Sequence, residues 1–188
     1  MPKRELKNPP YTLDADGFVK EATQIASPNY DQRPDNTTID LIVIHNISLP
    51  PNVYGGAGVV QLFTNQLNPD EHPYYAEIYT RKVSSHFFIR RDGELVQFVS
   101  TLQRAWHAGV SKWQTRERCN DFSVGIELEG SDYEAFEMHQ YKTLKKLIAC
   151  LKSNYLIQDV VGHSDIAPGR KTDPGPCFDW QEINQTIN

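Results

Sequence analysis

The chain has 188 residues, of which 39% are hydrophobic and 23% charged, a balance typical of a globular protein rather than a disordered one. At roughly 150 residues per domain, this length predicts a single domain spanning 1–188. Lysine and arginine number 19 and aspartate and glutamate 24, giving a net charge of −5. That charge argues against a duplex nucleic-acid binder, which normally carries a basic face.

The sequence indicates neither a membrane span nor a secretory signal. Its longest purely aliphatic run, Leu41–Ile44, is far shorter than the roughly 18 apolar residues that a span needs. The basic segment 1–10 is followed by no apolar stretch. Cys119, Cys150 and Cys177 are an odd number of cysteines without regular spacing, which predicts reduced thiols. We therefore expect a cytoplasmic protein.

The first half of the chain predicts short elements separated by loops. The apolar patch Phe18–Ile25 predicts a short helix. The β-branched run Leu41–Ile44 predicts a buried strand that ends at His45. Apolar residues at helical spacing predict a further helix, at Val59, Val60, Phe63 and Leu67. Residues 68–80 are predicted to form a long loop.

The second half predicts strands and one long helix. A hairpin is expected where Ser84–Arg90 and Glu94–Ser100 flank an Asp-Gly turn. Alternation over 122–129 predicts a strand with one apolar face and one face carrying two carboxylates. An amphipathic helix follows over 141–151, then a short strand at 158–162, a loop rich in glycine and proline, and a short helix beginning near Asp179. Together these elements predict an α+β fold with one central sheet.

Two of the six histidines stand out by position. His45 and His163 each follow a short apolar run at a predicted strand end, where ligands and catalytic groups concentrate. A catalytic zinc ion takes three protein ligands and leaves a fourth position open for water. The loop after His163 offers three aspartates for the third place, Asp165, Asp173 and Asp179. Composition alone does not choose among them.

Single residues elsewhere are less informative. Glu127 lies on the polar side of its predicted strand and fits a base, a salt-bridge partner or a surface charge. Lys171 on its own reads as a solvated loop lysine. Local patterns thus support only the suspicion of a metal site.

Taken together, several segments resemble the AmpD-type anhydro-muramyl-L-alanine amidases. In chain order, the matching segments are Ile44–Pro51, Tyr54–Gly56, Ser85–Gly93, Ala105–Gly109, Arg116–Ser123, Gly125–Gly130, Gly162–His163 and Ile166–Pro176. The likeness runs from about Gly17 to Trp180. The wider group includes phage T7-lysozyme-like enzymes and peptidoglycan recognition proteins, so the resemblance implies a single α+β domain with a central mixed sheet flanked by helices.

The resemblance also implies an activity. It is zinc-dependent hydrolysis of the amide between the lactyl group of 1,6-anhydro-N-acetylmuramic acid and L-alanine in muropeptides, in cell-wall recycling. Matching motif positions place zinc on His45, His163 and Asp173 and the catalytic pair at Glu127 and Lys171. The implied substrate contacts are Asn46, Lys82, Trp106, Arg118 and Ala167. His86 and His107 fall inside motif segments and are expected to stabilise the cleft, not to bind metal.

Two other functions share this fold. One is a module that binds muropeptide without hydrolysing it, which typically lacks a ligand or a catalytic group, whereas all five positions are filled here. The other is an amidase that acts on intact peptidoglycan outside the membrane and needs an export signal. The expected partner is an anhydro-muropeptide substrate; no nucleic acid or membrane span is expected, and protein partners are not indicated.

Overall fold

A six-stranded mixed sheet organises the chain, as seen in a computed structural model that describes residues 11–187. The strands of the chain are β1 (Thr23–Gln24), β2 (Tyr30–Gln32), β3 (Leu41–Ile47), β4 (Phe87–Ile89), β5 (Leu95–Gln97), β6 (Gln103–Ala105), β7 (Lys112–Trp113), β8 (Arg116–Glu117), β9 (Ser123–Glu129) and β10 (Asp159–Gly162). The helices are α1 (Gly58–Phe63), α2 (Pro73–Ile78), α3 (Met138–Asn154), α4 (His163–Ile166) and α5 (Asn184–Ile187), with 3₁₀ turns at Cys119–Asp121 and Trp180–Glu182.

The register of the parallel strands brings three polar side chains together at the carboxyl ends of the strands. The strand order is β1-β5-β4-β9-β3-β10, in which β4 and β5 run antiparallel and the other neighbours run parallel. His45 on β3 lies opposite Glu127 on β9. On the other side of β3, Gly162 lies opposite Ile44, so that His163 follows directly. In open sheets with parallel strands, ligands bind at the carboxyl ends of the strands, where these three side chains lie.

One face of the sheet is covered by α3. Ile44 on β3 and Ile126 on β9 point to this face, in the alternation expected for strands. The buried side of α3 meets them with Tyr141, Leu144, Leu147, Ile148 and Leu151. Each large aliphatic side chain buried in this way contributes about 1.5–3 kcal/mol, so this layer fixes the sheet on which the site is built.

The opposite face of the sheet carries His45 between two apolar clusters. Phe88 and Val96 pack there against α1 and α2, while Leu41 and Val43 pack against the segment 108–122 and α4. His45 shares this face with Val43 because it follows two residues later on the same strand. The two apolar clusters therefore enclose the end of β3 from both sides.

Most of the predicted architecture is confirmed. The fold class, the strand at β3, the hairpin β4–β5, the helix α3 and the strand β10 all form where the sequence predicts them. The helix predicted over 59–67 is shorter and ends at Phe63. The strand predicted over 122–129 forms as β9 and carries both carboxylates, but it is central in the sheet and all its residues are buried, so Glu127 is not a surface charge.

Three local predictions differ from the structure. The helix predicted at Phe18–Ile25 does not form: the amide of Val19 donates to Oε1 of Gln97 at 2.8 Å, and β1 extends the sheet beside β5. The predicted loop 68–80 contains α2, which begins at a proline and is capped by His72. The helix expected near Asp179 is a 3₁₀ turn, followed by the separate short helix α5.

Within residues 11–187, no helix is both long and apolar enough to cross a membrane. The basic segment 1–10, on which the expectation about a secretory signal rests, lies outside the described residues.

Candidate metal centre

Three atoms that could bind a metal ion converge at the carboxyl end of the sheet. Nδ1 of His45 and Nδ1 of His163 are 3.0 Å apart, and Oδ2 of Asp173 lies 3.0 Å from each of them. Both imidazoles are buried and the carboxylate is nearly so. Of the three aspartates that the sequence leaves open, Asp173 is the one in this cluster, since Asp165 turns back to accept the amide hydrogen of Gly162.

The donor set fits a transition metal such as zinc. Two imidazole nitrogens and one carboxylate oxygen are ordinary zinc ligands, and three of them leave room for a fourth. Nε2 of His163 lies 3.0 Å from the carbonyl oxygen of Ala108, which can only accept a hydrogen bond. In a neutral ring the hydrogen is therefore on Nε2, and Nδ1 presents a lone pair to the cluster. Burial lowers the pKa of His45 to about 4, although the carboxylate of Asp173 acts against this, so that ring is neutral at pH 7.

Glu127 lies beside the cluster in a dry environment. Its Oε1 is 4.0 Å from Nδ1 of His45, and its buried Oε2 has no hydrogen-bond partner among the described residues. Burial, reinforced by the charge of Asp173, raises the pKa of Glu127 well above its ordinary value, while Lys171 acts to lower it. A buried carboxyl with an unsatisfied oxygen and a raised pKa is suited to taking up and releasing a proton.

A short loop connects Lys171 to the cluster. The amide of Lys171 donates to the carbonyl of Ala167 at the end of α4, and the amide of Ser164 donates to the carbonyl of Asp173 at 2.9 Å. The side chain of Lys171 is exposed and lines the cleft above the cluster. The loop thus holds a cation and a ligand two residues apart.

Asn46 links this loop to β3 through hydrogen bonds of its side chain. Its Nδ2 donates to the carbonyl of Pro174 at 3.0 Å and to Oδ1 of Asp132 at 2.7 Å. Its side chain also lines the cleft. Asn46 therefore serves the position of the ligand loop as well as the wall of the cleft.

The cluster forms the floor of a cleft of about 450 Å³. Its walls include Tyr74, Arg81, Trp106, Asp132 and Lys171. With two aromatic residues and both signs of charge, these walls suit a ligand that has polar groups along its length.

The structure brings only some of the predicted substrate contacts to this cleft. Asn46 and Trp106 line it. Ala167 and the exposed Arg118 border a neighbouring hollow on the far side of Arg170. Lys82 is exposed and lines neither, whereas its neighbour Arg81 lines the cleft.

Sequence reasoning expected His107 to stabilise the cleft but did not predict that His107 and Ala108 contact the two histidines of the cluster. Nε2 of His45 lies 2.9 Å from Nδ1 of His107, and Ala108 supplies the carbonyl that faces His163. The only signal in the sequence is that both fall in one segment, Ala105–Gly109. Their partners are 62 and 55 residues away along the chain, so the contacts depend on the tertiary fold.

Comparison with known proteins gives a consistent result. Residues 35–176 match the family model described as N-acetylmuramoyl-L-alanine amidase. The chain is 53% identical to the 1,6-anhydro-N-acetylmuramyl-L-alanine amidase AmpD of Escherichia coli K12 over 174 residues, covering 92% of this chain and 95% of that protein. It is 49% identical to the AmpD of Haemophilus influenzae, covering 91% and 95%.

Solved structures agree with the sequences. A crystal structure of a selenomethionine AmpD derivative superposes with a TM-score of 0.90 at 50% identity, covering 94% of this chain and 99% of that one. The Escherichia coli amidase AmiD, solved in complex with anhydro-N-acetylmuramic acid-L-Ala-D-γ-Glu-L-Lys, gives a TM-score of 0.59 at 28% identity, covering 93% and 65%.

Proposed function

This chain belongs to the N-acetylmuramoyl-L-alanine amidase family, and from that premise we propose how its residues carry out the reaction. The enzyme hydrolyses the amide between the lactyl group of 1,6-anhydro-N-acetylmuramic acid and L-alanine in muropeptides, in cell-wall recycling. In our proposal the metal is zinc, held by His45, His163 and Asp173. The single observation that carries the proposal is the buried cluster of these three side chains next to Glu127.

When bound in such a site, zinc acts as a Lewis acid that polarises a carbonyl oxygen and brings the pKa of water to about 7. The protein's part is to hold two imidazoles and one carboxylate at fixed positions. The support for zinc is the type of donor, since two nitrogens and a carboxylate oxygen are the ligands that catalytic zinc takes in other hydrolases.

Glu127 is proposed to move the proton. Its carboxylate accepts a proton from the attacking water and delivers it to the nitrogen of L-alanine as the C–N bond breaks. The hydroxyl remains on the lactyl carbonyl carbon, so the products are a carboxylic acid, which then ionises in water, and a free amine. The dry surroundings of Glu127, which raise its pKa, favour the return of that proton to the leaving group.

Lys171 is proposed to stabilise the charge that develops on the scissile carbonyl oxygen. Its ammonium group lines the cleft, two residues from Asp173 on the same loop. A cation already in place when the oxyanion forms requires no reorganisation, which is the usual basis of such stabilisation.

Substrate contacts follow the walls of the cleft. We propose that Asn46 and Trp106 contact the muropeptide directly and that Arg81 faces its carboxylates. A peptide passing Arg170 would enter the neighbouring hollow and reach Arg118 and Ala167. Lys82 remains a proposed contact that requires a substrate long enough to leave the cleft.

We propose that the chain works as one domain in the cytoplasm. The three buried clusters all pack on a single sheet, which supports one domain. All three cysteines are within the described residues and each is a free thiol, as is usual in a reducing compartment. Fractionation of cells that express the full chain tests the location.

Mass spectrometry of reaction products tests the function. The zinc-loaded protein is incubated with anhydro-muramyl tripeptide, with a non-anhydro muropeptide, and with each substrate after chelation. We expect free tripeptide from the anhydro substrate and none after chelation. A preference for the non-anhydro substrate would move the enzyme to intact peptidoglycan, and no cleavage of either substrate with zinc bound would indicate a binding module.

A further inference from the structure

We propose that His107 is a positioning residue that fixes the tautomer of His45, so that Nδ1 of His45 faces the cluster as a lone pair. Ser123 contacts His107, which in turn contacts His45, and the hydroxyl of Ser123 determines which nitrogen of each ring carries the hydrogen. This inference rests on the proposed function, because it takes the cluster to be the zinc site.

The hydroxyl of Ser123 accepts a hydrogen bond from His107 and does not donate one to it. Its Oγ lies 2.6 Å from the carbonyl oxygen of Cys119 and 3.2 Å from Nε2 of His107. A hydroxyl has one hydrogen, and a carbonyl oxygen can only accept. The shorter contact therefore takes the hydrogen, and Oγ is left as an acceptor for Nε2 of His107.

The tautomer of His107 determines the tautomer of His45. With its hydrogen on Nε2, a neutral His107 ring presents the lone pair of Nδ1, which lies 2.9 Å from Nε2 of His45. The His107 ring is buried and its two nitrogens face the hydroxyl of Ser123 and the imidazole of His45, surroundings that favour the uncharged ring. Nε2 of His45 then carries the hydrogen, and Nδ1 of His45 is free to bind a cation.

The reverse direction would disable the cluster. A hydrogen on Nδ1 of His107 would force the hydrogen of His45 onto its own Nδ1, which lies 3.0 Å from both Nδ1 of His163 and Oδ2 of Asp173. That hydrogen would occupy the lone pair with which Nδ1 of His45 would bind a cation. It would also require the hydroxyl of Ser123 to give up its 2.6 Å bond to Cys119.

The backbone around His107 keeps the ring in this position. Oδ1 of Asn120 accepts from the amides of His107 and Ala108 at 3.2 and 2.8 Å. A Cβ at Gly125 would lie 2.5 Å from the His107 ring, so β9 has space for the ring only because this residue is glycine. The carbonyl of Ala108 orients His163 at the same time, so two adjacent residues orient both imidazoles.

Nuclear magnetic resonance of the metal-free wild-type protein tests the direction without any substitution. Long-range ¹H–¹⁵N spectra of the imidazoles distinguish a protonated Nε2 from a protonated Nδ1. We expect Nε2–H on both His45 and His107. Finding Nδ1–H on His107 would overturn the proposal.

Two variants with the same branched arrangement of four side-chain heavy atoms test the effect on metal binding. His107→Asn keeps an acceptor near the position of Nδ1, whereas His107→Leu removes it. In competition with a chromophoric chelator, we expect zinc affinity to fall about 10–100-fold in His107→Leu, the usual effect of losing a residue behind a ligand, and by much less in His107→Asn. Equal affinities in the two variants would overturn the proposal.

Further measurements separate this inference from the proposed function. Thermal unfolding of both variants in the metal-free state shows whether they fold. If His107→Leu does not fold, Ser123→Ala replaces it and is expected to give a mixture of His107 tautomers; an unchanged single tautomer would overturn the proposal. If the wild type binds no zinc, the proposed function fails, whereas zinc binding with unchanged affinity in His107→Leu defeats this inference alone.

Discussion

Glu127 is the residue whose surroundings depart furthest from those of an ordinary glutamate. Its carboxyl group is buried, one oxygen is unsatisfied among the described residues, and its pKa is raised by burial and by Asp173. Glu127→Gln keeps the size of the side chain but cannot transfer a proton. We expect kcat to fall about 10²–10⁴-fold while one zinc ion per chain remains bound.

The matched control for that variant is Glu134→Gln, which changes an exposed carboxylate paired with Arg91. We expect it to retain the activity of the wild type. Near-normal turnover by Glu127→Gln would remove Glu127 from the mechanism.

Lys171 is exposed in the cleft, so its substitution tests charge with little effect on packing. Lys171→Met keeps an unbranched apolar side chain and removes the ammonium. We expect kcat to fall about 10²–10³-fold, as on losing one oxyanion donor, with zinc retained. Steady-state kinetics with Lys142→Met, on the exposed side of α3, provides the control; a change in KM alone would assign Lys171 to substrate binding.

For single residues, the sequence predicted which three side chains form the cluster but not which residues surround them. The family resemblance selected Asp173 from three aspartates, and the structure places it 3.0 Å from both histidines. The burial of Glu127 could not be predicted from alternation, because it depends on segments elsewhere in the chain that cover the second face of β9. The contact between His107 and His45 depends on the same tertiary packing.

At the scale of elements, the approach of the segment 105–109 to β9 decides whether the histidines are oriented. Gly125→Ala would place a methyl group 2.5 Å from the His107 ring, so the ring or the strand must move. We expect weaker zinc binding and a free energy of unfolding lower by about 1–3 kcal/mol, as for other overpacked cores. Denaturant titration and zinc competition measure the two effects.

Gly56→Ala is the matched control, because the nearest atom to a Cβ there is 3.9 Å away. We expect it to behave as the wild type in both measurements. A Gly125→Ala protein with unchanged stability and zinc affinity would show that the ring adapts and does not depend on this space.

Elements defined by long regular patterns were predicted well, and those defined by partners were not. The helix α3 has a continuous apolar stripe that survives in any context. In contrast, β1 has two residues and exists because β5 offers a free edge to pair with, which no local pattern reveals. The helix α2 did have a local signal, a proline at its first position after a capping His72, which the polar composition of the segment hid.

For the whole molecule, buried histidines predict acid sensitivity of the metal-free protein. Burial lowers the pKa of His45 to about 4 and of His86 to about 3, and lowers that of His107 well below its ordinary value. Their stabilising effect is complete above the ordinary value of 6.5 and is lost as the pH falls, because the unfolded chain binds protons that the folded chain does not.

Glu127 acts in the opposite sense. Its raised pKa means that the folded chain holds a proton that the unfolded chain releases above 4.5. The three buried histidines outweigh this single glutamate, so below pH 6.5 the unfolded chain takes up more protons than the folded chain and the free energy of unfolding falls. Urea titrations of the metal-free protein between pH 6.5 and 5 measure this decrease, and an unfolding free energy that stays level across that range would contradict it.

We propose that one zinc ion, held by His45, His163 and Asp173, is required for amide hydrolysis. The most direct test measures turnover of anhydro-muramyl tripeptide against zinc bound per chain, starting from metal-free protein. We expect turnover to rise in proportion to bound zinc and to reach its plateau at one zinc ion per chain. Full turnover in protein that holds less than about a tenth of an equivalent of metal, or a plateau that needs a second ion, would contradict it.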